Sequence, residues 1–154
     1  MNGLDRWHRW PIKFGLVLGM LSNVGAAGAD EQEGVLIRCG ASKGEAYYFA
    51  DDLLNPDGPN WTEDGSSTGK ILLVRLGDEW DIQFNDAIGT SGYRQDGAKV
   101  FPLTSSDTFL MIGAFHENYS DIYTFDIINN EVAWTSSKIG PIIAKSAVYR
   151  ADCD

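Results

Sequence analysis

The chain has 154 residues, 44% of them hydrophobic, with 22 acidic and 12 basic side chains and a formal net charge of −10. That length suits one domain with a core of its own. The charge sets the protein against nucleic acid and anionic membrane surfaces, and two cysteines with two histidines leave few ligands for zinc.

Residues 1–29 carry the pattern of a secretory leader. Arg6, Arg9 and Lys13 form a basic head, residues 14–21 an apolar run, and Ala27-Gly28-Ala29 a small-residue cleavage site. The apolar run is well short of the ~20 residues needed to span a bilayer. We therefore expect export to the periplasm or the medium, with residues 30–154 as a single domain. Removing Asp5, Arg6, Arg9 and Lys13 leaves 21 acidic and 9 basic residues, a net charge of −12. Such a surface suits a cationic partner.

After the leader, short runs of β-branched and aromatic residues alternate with turn residues. Strands are expected at 35–41, 45–50, 70–76, 80–86, 98–103, 108–115, 121–127, 131–137 and 145–151. No segment of useful length shows a helical period. The hairpin joining 70–76 to 80–86 offers two registers. A turn through Gly77-Asp78-Glu79 pairs Leu76 with Trp80, Val74 with Ile82 and Leu72 with Phe84, and places all six on one face. A two-residue Gly77-Asp78 turn of type II′ is the rival. The first satisfies more side chains and is the one expected. Residues 51–69 form a long irregular stretch and 87–97 a shorter one, and long loops tend to be functional.

Cys39 falls in the first apolar run and Cys153 in the last. In an exported chain a lone pair of cysteines joins. The closed loop of about 115 residues is worth roughly 4–5 kcal/mol on the chain-entropy model. A meander whose first and last strands are cross-linked closes most simply into a barrel. The expected fold is thus all-β, an antiparallel meander of about eight to nine strands forming a closed or nearly closed barrel.

Motifs for catalysis are weak. Gly65-Ser66-Ser67-Thr68-Gly69 matches G-x-S-x-G, but a hydrolase elbow needs a strand before the serine and a helix after it. Asn55-x-Asp57-Gly58 matches part of a calcium loop and equally an Asx-rich turn. His116 is the one histidine after the leader and sits in a turn. No acid–base or nucleophile constellation is visible, so the sequence reads as non-enzymatic, with no cofactor and no metal. Trp61 in the long stretch is either a plug over one barrel end or an anchor for a partner. Tyr93 and Arg94 in the second stretch are amphipathic, turn-borne and suited to contact.

The frame of Cys39-Gly40-Ala41-Ser42 with Tyr47-Tyr48-Phe49, the Asn60-Trp61-Thr62-Glu63-Asp64-Gly65 loop, Gly92-Tyr93-Arg94-x-Asp96-Gly97-Ala98 and the Ala147-Val148-Tyr149-Arg150-Ala151-x-Cys153 end resembles a group of uncharacterised exported bacterial proteins. That resemblance implies export and fold. Thr90-Ser91-Gly92-Tyr93 followed by Asp96-Gly97 is also similar to the loop of periplasmic inhibitors of c-type lysozyme. Those are small exported barrels whose Ser-Gly loop enters the enzyme's cleft, which would give Ser91 a binding role. The expected function is binding of a protein or envelope component through 51–69 and 87–97, with Trp61, Ser91, Tyr93 and Arg94 as contact residues. The alternatives are a lysozyme-inhibitor-like protein and a lipocalin-like carrier of a small apolar ligand. The carrier requires an interior cavity; a barrel filled by Trp80, Phe84, Phe109 and Trp134 would exclude it.

Overall fold

The computed structural model describes residues 33–85, 89–140 and 143–154. The expected leader at 1–29 lies outside them, as do Asp86, Ala87 and Ile88. Within them the chain forms ten strands: β1 (Gly34–Tyr48), β2 (Asn60–Ser66), β3 (Lys70–Leu76), β4 (Glu79–Asn85), β5 (Thr90–Gly92), β6 (Lys99–Ser105), β7 (Phe109–His116), β8 (Tyr119–Asp126), β9 (Glu131–Ile139) and β10 (Ala144–Cys153). All pairings are antiparallel, in the order β5-β4-β3-β1-β10-β9-β8-β7-β6, with β2 also on β1. Among the described residues there is no helix, and so none long and apolar enough to cross a membrane.

Two expected strands, 35–41 and 45–50, are one. β1 runs through Gly40-Ala41-Ser42-Lys43-Gly44 with a bulge between Cys39 and Ser42. Its first part pairs with β3 and its second part with β2 along the same edge. β2 and β3 are therefore two pieces of one broken strand, interrupted at Ser67-Thr68-Gly69. The G-x-S-x-G match occupies this break: Ser66 Oγ accepts from the Gly69 N–H at 2.9 Å, and the Ser66 N–H donates to Ser42 Oγ at 2.9 Å.

Cys39 and Cys153 stand directly opposite one another on β1 and β10 and form a disulfide across 114 residues of chain. The first and last strands are thus neighbours, but they lie in the middle of the sheet. The sheet curls into an open half-barrel, not a closed one. Its two edges are β5 and β6, strands consecutive in sequence and connected by the turn at 93–98, whose Tyr93 N–H donates to the Ile82 carbonyl of β4. Both edges are blunted: β5 has three residues, and β6 carries Pro102, which has no N–H for a further ladder.

The hairpin β3–β4 takes the rival register. Leu76 pairs with Glu79, Arg75 with Trp80 and Leu73 with Ile82. Gly77 has φ +60°, as the first position of a type II′ turn requires, and the twist of that turn matches the strands. Turn chemistry overrides the count of matched apolar residues. A one-residue slip flips every side chain, so Ile71, Leu73 and Ile82 join the core with Tyr123, Phe125, Ile112 and Val132. Arg75 then lies over the Trp80 ring at 5.2 Å.

Candidate functional site

Strand register builds the concave face row by row, because residues i, i+2 and i+4 of a strand share a face. One row across β8, β9, β10, β1 and β2 is Tyr123, Trp134, Tyr149, Gly44, Asp64. The next is Asp121, Ser136, Ala147, Ala46, Thr62, and the one after is Tyr119, Lys138, Lys145, Tyr48, Asn60. The aromatic row stacks: Tyr123 on Trp134 at 5.2 Å and Trp134 on Tyr149 at 5.0 Å. The row beside it holds Asp121 among small side chains, and of these Asp121 and Ser136 border the cleft.

Gly44 is what lets the aromatic row end in a polar contact. A Cβ there would lie 2.2 Å from the Val148 carbonyl oxygen and 2.5 Å from Tyr149 Cδ1. With no side chain in the way, Tyr149 reaches across β1 to β2 and donates to Asp64 Oδ2 at 2.7 Å. The same oxygen accepts from Lys145 Nζ at 2.5 Å and from the Tyr48 hydroxyl at 3.0 Å. Partial burial pushes the Asp64 carboxyl up, but these three donors and the lysine charge outweigh it, and its pKa falls to about 2. Burial likewise pulls the Lys145 ammonium down, and its bonds to Asp64 and Tyr149 reverse that and hold it above its ordinary value. Burial raises the Tyr149 phenol to about 12.

A second polar group lies deeper. Tyr93, after β5, sends its hydroxyl into the concave face, where it donates to Asp121 Oδ2. The Tyr123 hydroxyl is 2.7 Å from that of Tyr93. A phenol has one hydrogen, so with Tyr93 donating to the carboxylate, Tyr123 donates to Tyr93. Burial, then the neighbouring Tyr123 and Asp121, push the Tyr93 phenol far above its ordinary value. Asp121 is 1% exposed, and its Oδ1 has no hydrogen-bond partner among the described residues.

These groups surround a cleft. A cavity of about 200 Å³ is lined by both carboxylates, Asp64 and Asp121, together with Tyr93, Trp134, Ser136 and Lys138. An adjoining cavity of about 340 Å³ shares Ser42, Ser66, Phe84 and Trp134 with it and adds Ser91, Lys70 and Asn85. Phe84 and Trp134 thus wall the space and do not fill it.

The four expected contact residues separate. Ser91 is exposed on β5 opposite Phe84 and lines the larger cavity. Tyr93 lines the smaller one and is 6% exposed. It is a buried residue and not the surface contact expected, because its hydroxyl finds Asp121 and its ring packs on Phe84 at 5.2 Å. Arg94 points out to Glu79, with Nη2–Oε1 at 2.6 Å. Trp61 lies on the opposite face of β2 from Asp64, 63% exposed and against Tyr47 at 5.3 Å, so it plugs no barrel end. Among the described residues no three or more His, Cys, Asp or Glu gather where a metal could sit. The 51–57 segment is turn chemistry: Asp51 Oδ1 accepts from the N–H groups of Leu53 and Leu54.

Asp121, Trp134, Tyr149 and Lys145 were not among the expected site residues. Their signal was parity. Asp121 falls in step with Tyr119, Tyr123 and Phe125, and Lys145 with Ala147, Tyr149 and Ala151; a charge in an inward position of a period-2 pattern marks a site. No family model, no curated protein and no solved structure matches the chain.

Proposed function

We propose that the protein is an exported, non-enzymatic binding module. Its concave cleft receives a small polar ligand, or a side chain presented by a protein or envelope component. One observation carries this reading: residues of both irregular stretches converge on the cleft, Asp64 and Ser66 from 51–69 with Ser91 and Tyr93 from 87–97. The space is also of the right kind, since binding sites are concave, aromatic-walled and furnished with a few polar groups. Two carboxylates, four serines and two lysines in its wall favour a polar ligand over the apolar cargo of a lipocalin-like carrier. Export is supported by the Cys39–Cys153 bond, which belongs to an oxidising compartment. A lysozyme-inhibitor-like role draws less support, because Thr90-Ser91-Gly92 is held as β5 against β4.

The test is a polar fragment screen read by NMR on the exported protein. We expect shifts at the Trp134 indole, Ser136 and Ser91, and their loss in Ser91→Trp, whose indole would occupy the larger cavity. Shifts confined to Trp61, Leu53 and Leu54 would move the binding surface to the outer face and overturn the proposal.

A further inference from the structure

Asp121 is the most deeply buried charged side chain of the concave face, and half of its accepting capacity is unused. Buried polar atoms in folded proteins are nearly always paired, so an exception asks for an explanation. Two neighbouring donors are committed elsewhere, and a third, the Tyr119 hydroxyl, is itself buried without a partner. Tyr93 gives its hydrogen to Oδ2 of the same carboxylate, and Tyr123 gives its own to Tyr93. Lys138, which lines the same cavity, holds its Nζ over the Tyr119 ring at 5.7 Å and makes no ion pair among the described residues.

From this we infer that Asp121 is the receptor for a protonated primary amine entering the 200 Å³ cavity, a ligand class that rests on the cleft being the binding site. A neutral donor would fill the lone pairs and leave the buried charge uncompensated, whereas an ammonium does both. The terminal torsion of an aspartate is soft, so the carboxylate can turn toward an entering group. The volume is below the ~300–1,000 Å³ of common small-molecule pockets. It suits a head group the size of a side chain, with any longer body lying in the adjoining cavity toward Ser91. The amine is either a free alkylamine or a lysine side chain of a partner, and the two present the same chemistry.

The experiment titrates the full exported protein with propylammonium, propanol, propionate and N-acetyl-lysinamide, following the Trp134 indole resonance. We expect propylammonium to bind roughly ten- to hundredfold more tightly than propanol, the range of a hydrogen bond to a charged group. Propionate should be weaker still. N-acetyl-lysinamide binding as well as propylammonium assigns the site to lysine side chains, and its failure beside bound propylammonium assigns it to free amines; either supports the inference. Asp121→Asn, which keeps the volume and an oxygen for Tyr93, should erase the preference for propylammonium. Equal binding of propylammonium and propanol by the wild-type protein overturns the amine class and leaves the cleft standing. No shift at Trp134 with any of the four overturns both. The wild-type series stands without the variant.

Discussion

Strands β8, β9 and β10 carry two unlike halves of one concave face. Toward one end their inward residues are Phe125, Val132 and Ala151, beside the Cys39–Cys153 bond, and all are buried and apolar. Toward the other they are Asp121, Ser136 and Ala147, then Tyr119, Lys138 and Lys145. The ladder is equally regular in both. The first half holds the fold by burial and a covalent link, while the second holds the buried Asp121 and two lysines, with Asp64 of β2 facing them across the cleft. The contrast sets apolar burial at one end against partly buried polar groups at the other, the arrangement that the proposed binding role calls for.

The largest break in that comparison should come from the bond. Replacing Cys39 and Cys153 by serine should cost about 2–5 kcal/mol in urea unfolding, while the folded fraction keeps its cleft shifts, since the bond lies in the other half. Gly44→Ala tests how the polar half is assembled. Its Cβ collides with Val148 and Tyr149, so a loss of about 1–3 kcal/mol is expected. The Tyr149 phenol should also titrate at a different pH once parted from Asp64, which ultraviolet titration would detect.

Asp64 gives a pH signature. Its three donors and the lysine charge hold its carboxyl at about 2 in the fold, below the ordinary 3.8. The stability it contributes is therefore complete above pH 4 and lost as pH falls through about 2, since the unfolded chain takes up the proton first. The shift corresponds to roughly 2 kcal/mol for a side chain 22% exposed. Asp64→Asn should remove about that much at pH 7 and flatten the acid limb of stability against pH. The smallest effect should be Arg94→Ala, which breaks a surface pair with Glu79 and should alter stability by less than about 1 kcal/mol.

Much of the scaffold was legible in the residues. Alternating runs such as Tyr119–x–Asp121–x–Tyr123–x–Phe125 are strands in either environment, and two cysteines in the first and last runs could meet only if those strands were neighbours. Besides the β3–β4 register and the fusion of two expected strands into β1, three features were not. β2 has no apolar alternation; Asn60 to Ser66 is a strand because its backbone pairs with β1, and backbone pairing leaves no side-chain signature. The seam was placed at the chain ends, where the disulfide is, yet it falls between β5 and β6, because a cross-link between strands says nothing about which other pair goes unpaired. Tyr93 looked like surface because its turn is polar, and its burial depends on Asp121, 28 residues away. The site was hidden for the same reason: it is assembled from single residues on β2, β8, β9 and β10 with Ser91 and Tyr93 at β5, and no local motif spans them.

If Asp121 serves a ligand beyond its bond to Tyr93, urea unfolding of Asp121→Asn at neutral pH should show it. A buried charge with an unmet oxygen costs stability, so the variant should match or exceed the wild-type protein. A loss of about 3 kcal/mol or more would instead make the carboxylate a structural strut, its partners already complete, with no oxygen kept for an amine.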